Sequence, residues 1–469
     1  MKPLWQWSAS ELLAAYRDRR LSPVAVLEVV RGRIAALNPR LNALISEDPG
    51  ALAAARASEV RYREGRAGLL DGVPYSVKDN IPVAGLPCTW GSRLYADRVM
   101  GHDETAVARL RNQGAVLLGK TNCPEFTLEG YTGNRLFGVT RNPWNPALTP
   151  GGSSGGAVAA VSASMGPLAL GTDGGGSTRR PASHTGLLGL KPSIGRIPRH
   201  HGLPAILLDF EVVGLFAREA ADLRLLAQTL MGPDPHDQRS RRCWSAVPPT
   251  PAPFQPRRIL YVPRFGEAPV DPAVAASVAA AARQLAALGH QVEEGVFPLS
   301  LAALDEFWPL FGQVGLAHLL GGEPRAATLV APRFLEMAEQ GSRVPAERYL
   351  AALLWVEGFR QAMAAVFRDI DLIMTPSAAA LPWPAAEPYP PLIAGTPVGP
   401  RGHAVFTGWV NACGHPGINI PCAPSSTGLP IGFQLVGDFG QDGLLLDTAQ
   451  QYQQAHPWGS CWSPEMENP

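Results

Sequence analysis

The chain has no excess of charge. Its 469 residues carry 40 Lys plus Arg and 40 Asp plus Glu, a formal net charge of zero. Without a field of one sign, neither nucleic acid nor an anionic membrane can be held by bulk electrostatics, and only a local patch would serve. Cysteine is sparse. Cys88, Cys123, Cys243, Cys413, Cys422 and Cys461 lie far apart with no C-x-x-C pair, which argues against a disulfide scaffold and against a structural zinc site. Long apolar runs are missing as well. The least polar stretch, 157–170, is mostly small residues broken by Ser162, Ser164 and Pro167, and it reads as a packed internal helix, not a membrane span. The opening MKPLWQWSASELLAAYRDRR has no apolar core and carries charge early, so a secretory leader is not expected. Together these absences predict a reduced, cytoplasmic protein with no nucleic-acid or membrane partner.

Lysine is the scarcest charged residue. Only Lys2, Lys78, Lys120 and Lys191 occur, so almost all positive charge is written as Arg. An arginine stays protonated in a protein, whereas a buried lysine can give up its proton. A lysine inside an apolar segment is therefore a candidate for work that arginine cannot do, set against the plain alternative of compositional bias.

What is present is ample for a core: hydrophobic residues make up 46% of the chain. The 49 Gly and 46 Pro, about a fifth of the residues, point to many tight turns and loops and fall short of low-complexity composition. Ser8-x-x-Glu11 is a capping box ahead of Leu12, Leu13 and Tyr16, and Ser22-Pro23 marks a second helix start. A third helix is expected over 51–64. Thereafter strands (73–78, 115–118, 168–170) alternate with helices (105–112, 155–165). That alternation argues an α/β sheet covered by helices on both faces. The segment 232–256 holds seven prolines and reads as a surface crossing. Beyond it come a strand in RILYVPRF, an Ala-rich helix over 274–288 and a strand over 291–297. A mainly helical stretch follows over 300–368, then a strand over 372–374, and closing strands over 417–421 and 431–436. Between them, 377–401 is a Pro-rich loop longer than ordinary connections, a length that goes with function.

Three short patterns compete for the chemistry. Gly114-AVLL-Gly119-Lys120-Thr121 fits the phosphate-loop pattern, but its middle is a buried strand and Pro124 follows, so a helix N-terminus for phosphate is lacking. Gly151-Gly152-Ser153-Ser154-Gly155-Gly156 satisfies G-x-S-x-G at both serines. Thr149 and Pro150 precede it where a nucleophile elbow has a strand; the competing reading is a linker, which would not need the small-residue helix that follows. Gly171-Thr172-Asp173-Gly174-Gly175-Gly176-Ser177-Thr178-Arg179 leaves backbone N–H groups unobstructed, as an oxyanion site requires. Asp173 and Arg179 bracket this loop with opposite charges, and their pairing would set its shape.

Length links the second and third patterns. A helix over 155–165 advances about 16 Å, and a strand over 167–171 returns about 16 Å. Both Gly/Ser loops therefore reach the same end of the structure, with Ser153 beside Ser177. A serine pair with no local histidine needs another base, and a buried neutral lysine is the natural one. Lys78, Lys120 and Lys191 all follow apolar runs, so the pattern alone leaves three candidates.

These residues resemble the amidase signature family. GVPYSVKDN at 72–80, GKTNCPEF at 119–126, TRNPWNP at 140–146 and the long run from Pro150 to Arg199 are similar to its blocks. So are DLIMTP at 371–376 and FTGWVNACGHPGINIPCAPSSTGLPIGFQLVG at 406–437, in the same order. The resemblance implies a single large domain with a central twisted mixed β-sheet between helical layers. It places an N-terminal helical segment at 1–65 and the hydrolase domain at 66–460, with core motifs over 72–199 and a variable substrate-side region over about 300–402.

For the site, it implies Ser177 as nucleophile, Ser153 as bridging serine and Lys78 as base. Gly174, Gly175 and Gly176 would form the oxyanion hole, with Ser154, Asp173 and Arg179 supporting the loops. Gly174 stands where the family often has Thr or Ile, leaving a looser hole or room for a bulkier acyl group. Phe126, Tyr131, Phe307 and Trp308 are candidates to line an apolar pocket, against the alternative that they are core. No cofactor and no metal are implied: His102, His184 and His415 lack metal spacing, and His200 and His201 lie in a polar loop.

The implied activity is hydrolysis of small-molecule amides, with carbamates and esters open to the same nucleophile, by an enzyme that forms a homodimer if it follows its relatives. The family also contains the glutaminase subunit of a tRNA-dependent amidotransferase; the stretch after Lys191 departs from that protein, which favours a stand-alone enzyme. A non-catalytic partner on the same scaffold and a Ser–His–Asp α/β-hydrolase are the remaining alternatives.

Overall fold

A computed structural model describes residues 2–242 and 246–458. Cys243, Cys461 and the middle of the Pro-rich crossing lie outside the described residues; the other four cysteines carry free thiols.

The centre is one eleven-stranded sheet. Its strands are β1 (Leu44–Glu47), β2 (Pro74–Lys78), β3 (Val116–Thr121), β4 (Leu168–Asp173), β5 (Leu188–Lys191), β6 (Val212–Ala217), β7 (Arg258–Tyr261), β8 (Gln291–Glu294), β9 (Leu372–Pro376), β10 (Gly417–Cys422) and β11 (Ile431–Gly437). The spatial order is β1-β3-β2-β4-β6-β5-β10-β11-β9-β7-β8. β3, β2 and β4 run parallel, and β9, β7 and β8 run parallel. The strands between the two groups pair antiparallel, so the sheet is mixed.

Helices cover both faces, and the central strands are buried on both sides, while the edge strands β1 and β8 and neighbouring β7 are partly exposed. On one face lie α4 (Thr105–Asn112), α7 (Ala220–Leu230), α8 (Pro272–Ala287) and α13 (Asp442–Ala455), packed on Tyr75, Val77, Leu168 and Leu170 among others. The other face carries α5 (Gly155–Ser162) and α6 (Arg179–Thr185). The N-terminal helices α1 (Ala9–Arg17), α2 (Pro23–Leu41) and α3 (Ala51–Arg63) close one end of the fold. The capping box at Ser8 and Glu11 is formed, and Ser22 caps the helix begun by Pro23. Segment 1–65, expected to be helical, also supplies β1, which pairs antiparallel with β3 at the sheet edge. No described helix is long and apolar enough to cross a membrane.

Two features bear on the site. The first is alternation in β2: Tyr75 and Val77 enter the core on one face, which turns Ser76 and Lys78 toward the other. The second is the helical layer of α9 (Ala302–Leu320), α10 (Pro332–Ser342), α11 (Ala346–Val366) and α12 (Gly408–Cys413). α9 and α10 cross closely at Gly341, where a Cβ would stand 2.0 Å from the Gln313 carbonyl oxygen. Because the obstacle is backbone, Gly341→Ala should force the two helices apart and destabilise the fold by roughly 1–3 kcal/mol, read as a lower urea midpoint with an unchanged slope.

Candidate active site

Lys78 closes β2 and is fully buried. Its Nζ donates to Ser153 Oγ at 2.8 Å and to Thr172 Oγ1 at 2.9 Å. Burial lowers its pKa to about 8, against weaker opposing fields from Cys123, Glu211 and Asp173. The other two internal lysines differ in their partners. Lys120 Nζ lies 2.5 Å from the Ile81 carbonyl oxygen and 3.8 Å from Asp79 Oδ1, and Lys191 Nζ reaches the Pro192 carbonyl at 2.9 Å. Burial lowers Lys191 to about 8 as well, so desolvation does not separate Lys78 from Lys191. The hydroxyl partners do.

Ser153 follows a cis peptide bond from Gly152 and stands just ahead of α5. Its neighbour Ser154 donates from Oγ to the Thr172 carbonyl at 3.1 Å, tying this loop to the end of β4. The two Gly/Ser loops therefore meet at one end of the sheet, although α5 stops at Ser162, short of the expected 165. The phosphate-loop lookalike is strand β3, with Lys120 inside it.

Ser177 lies four residues beyond β4 in the turn that opens α6. The Asp173 carboxylate organises this turn. It accepts from the Gly176 N–H at 2.6 Å and the Thr178 N–H at 3.0 Å. It also receives Arg179 in a bidentate pair, Nε to Oδ2 at 3.1 Å and Nη2 to Oδ1 at 2.9 Å, with both side chains at 0% exposure. Burial alone would raise the Asp173 carboxyl; the Arg179 guanidinium, with Lys191 and the Asn411 amide, holds it well below the usual carboxylate range. Arg179 also bonds the Asn411 and Gln434 side chains and the Thr407 carbonyl, which anchors the turn to α12 and β11.

The three glycines are not equivalent. The Gly176 N–H is occupied by Asp173, so it is not available to an oxyanion in this arrangement. The N–H groups of Gly174, Gly175 and Ser177 have no hydrogen-bond partner among the described residues. Gly176, at φ +111°, allows no side chain: a Cβ there would meet Thr407 Oγ1 at 2.1 Å. The room expected beside Gly174 is already filled, since a Cβ there would stand 2.7 Å from Leu207 Cδ1.

Ser177 opens into a cavity of about 390 Å³. Trp308 lines it, with Leu207, Phe334 and Met337. The other three pocket candidates lie elsewhere. Phe126 is wedged edge-on between Trp90 and Phe334. Phe307 packs on Trp355, and Tyr131 sits beside Arg333, which lines the cavity, without lining it itself. Sequence reasoning missed Thr172, although it stands in the quoted motif, and Asn80, whose amide donates to Thr172 Oγ1 at 3.0 Å. It also missed Glu211, held by Arg199 at 2.8 Å, for which no local signal exists. His184 is buried against the Ala380 carbonyl, burial lowering its pKa to about 4. His102, His200, His201 and His236 gather as adjacent rings near the surface. No group of three or more His, Cys, Asp or Glu among the described residues is placed to hold a metal ion.

The profile of the amidase family matches residues 25–446. This chain belongs to the amidase signature family. The amidase is 36% identical to a glutamyl-tRNA(Gln) amidotransferase subunit from Azoarcus sp. (strain BH72), over 96% of this chain and 98% of that one. It is 33% identical to an indoleacetamide hydrolase from Bradyrhizobium diazoefficiens, over 95% and 86%. Among solved structures, a 6-aminohexanoate cyclic dimer hydrolase bound to substrate superposes with a TM-score of 0.88 at 30% identity, covering 99% of this chain and all of that one. A bacterial aryl acylamidase gives the same TM-score at 28% identity, covering 98% of each chain. The amidase is thus a hydrolase of carbon–nitrogen bonds.

Arg179→Met would leave Asp173 as an uncompensated buried charge beside Ser177. The expected cost is about 3–5 kcal/mol, measured by urea unfolding; a midpoint within error of the parent would show that the pair does not hold this turn.

Proposed function

We propose that the amidase is a stand-alone hydrolase of small-molecule amides that works through an acyl-enzyme on Ser177, with Ser153 as proton relay and Lys78 as base. The observation that carries this reading is the buried 2.8 Å contact between Lys78 Nζ and Ser153 Oγ, at the end of the sheet where the Ser177 turn faces the cavity. Neutral Lys78 takes the proton of Ser153 as Ser153 takes that of Ser177, and Ser177 Oγ bonds to the substrate carbonyl carbon. The oxyanion is met by the N–H groups of Gly174, Gly175 and Ser177. Collapse of the intermediate breaks the C–N bond, and the relayed proton leaves with the amine. Water then adds to the acyl-enzyme by the same relay, and the carboxylic acid departs. Carbamates and esters present the same carbonyl to the same groups and fall within this chemistry.

A second reading has a specific observation behind it: the 36% identity, over nearly the whole chain, with an amidotransferase component. A glutaminase subunit would release ammonia from glutamine only with its partner present and would leave anilides untouched. The purified chain should hydrolyse aryl anilides alone, and strict dependence on a partner together with glutamine-only turnover would favour this second reading.

Ser177→Ala should lower kcat by a factor on the order of 10³ or more with the fold intact; near-parental turnover would end the assignment. The sign of the pH dependence follows from Lys78. Its base form is the neutral one, so kcat/KM should climb as pH rises through about 8 and level off above it. In Lys78→Arg, which keeps the charge but cannot accept a proton, activity should be lost and this limb should vanish from whatever rate remains.

A further inference from the structure

We propose that the cavity at Ser177 selects amides that carry a carboxylate, held by Arg401 with Arg180 and His403 as flanking donors. The inference rests on the hydrolase reading above and names its substrate class. Three guanidinium groups line the cavity, Arg180, Arg333 and Arg401, against the carboxylate of Glu129. Arg333 is already matched, its Nη2 lying 2.5 Å from Glu129 Oε2. Arg401 is exposed to solvent at the cavity, and its guanidinium has neither a hydrogen bond nor an ion pair among the described residues; Asp305 exerts a field on it without pairing. Its position is tied to the nucleophile turn, because a Cβ built on Gly175 would stand 4.0 Å from Arg401 Nη2.

The groups beside Arg401 point the same way. Arg180 is 5% exposed, and its Nη1 serves Thr407 Oγ1 at 2.9 Å and the Gly175 carbonyl. Its buried Nε has no partner. His403 is 2% exposed, lines the same cavity, and neither ring nitrogen has a partner. Buried polar groups without partners are rare, because each loses its hydration for nothing in return. Here the Arg180 and His403 groups gather beside Arg401 in a cavity that Trp308, Leu207 and Met337 also line. An anion with two oxygens in one plane would satisfy them, and the guanidinium fork matches a carboxylate in shape and charge. Burial, together with the fields of Arg180 and Arg401, keeps the His403 imidazole neutral, so it can offer a donor without adding a third repelling charge. The substrate this cavity fits joins an apolar body, against Trp308, Leu207 and Met337, to a carboxylate at Arg401.

Matched substrates test this and show on which side of the scissile bond the carboxylate lies. On the acyl side, glutaryl 4-nitroanilide is compared with pentanoyl 4-nitroanilide. On the amine side, N-pentanoyl 4-aminobenzoate is compared with N-pentanoyl 4-methylaniline. In at least one pair the carboxylated member should be favoured in kcat/KM by about 10- to 100-fold. Arg401→Ala should collapse that ratio toward one, chiefly through KM. Arg401→Lys should keep part of it, and about 1 M salt should narrow it in the parent enzyme. Preference for the neutral member in both pairs, or a ratio unmoved by Arg401→Ala, overturns the inference while leaving the hydrolase reading in place. No turnover of any of the four by the parent enzyme overturns both.

Discussion

The Asp173–Arg179 pair is the constraint from which the site is built. Two opposite charges in full burial attract strongly but lose their hydration, so such a pair adds little net stability compared with an apolar replacement. What it imposes is geometry. One carboxylate receives the guanidinium of Arg179 and two backbone N–H groups of the turn, while the guanidinium reaches on to α12 and β11. The turn that presents Ser177 is thereby held from several directions at once. Its unbonded N–H groups stay in place without a partner of their own, the condition for receiving charge that develops only during reaction.

The lysine follows a different logic. Lys78 has no carboxylate as a direct partner among the described residues; it is placed where burial disfavours its charge and where its hydrogen bonds go to two hydroxyls. β2 and β4 run parallel and adjacent, so Lys78 at the end of one strand and Thr172 near the end of the other come together as a consequence of register. Ser154 then pins the preceding loop to the same strand end. Strand ends of an α/β sheet are where backbone groups are released from pairing and can be turned to chemistry, and here both loops and the lysine exploit that edge.

The substrate side is made by a separate part of the chain. Trp308 and Phe334 come from the α9 and α10 pair, and Tyr389 and Arg401 from the Pro-rich loop before α12. The reacting groups and the groups that face the substrate thus belong to different segments, which lets recognition change while the proton path stays as it is.

The strongest local signals were legible. Ser8 with Glu11 and Ser22 with Pro23 announce helix starts through backbone N–H groups that need partners, and α/β alternation announces a two-faced sheet. The pair of Gly/Ser loops, their return to one end and the unusual scarcity of lysine were also readable from the chain. The strands β5 and β6 escaped notice, because a strand buried on both faces shows no alternation to reveal it, and β1, four residues at the sheet edge, is too short to carry a pattern. Which of three lysines meets a serine is equally invisible locally, since all three follow apolar runs and only strand register decides their partners. The same holds for Gly176, whose N–H is taken by Asp173, and for Phe126, turned into the core, and Phe307, packed on Trp355, both aromatic like Trp308 but off the cavity. The sequence by itself determined the chemistry available at each motif, because residue type sets what can be a nucleophile, a base or a donor. Tertiary structure alone decided which of those groups face one another and which face the cavity, because that depends on contacts between segments far apart along the chain.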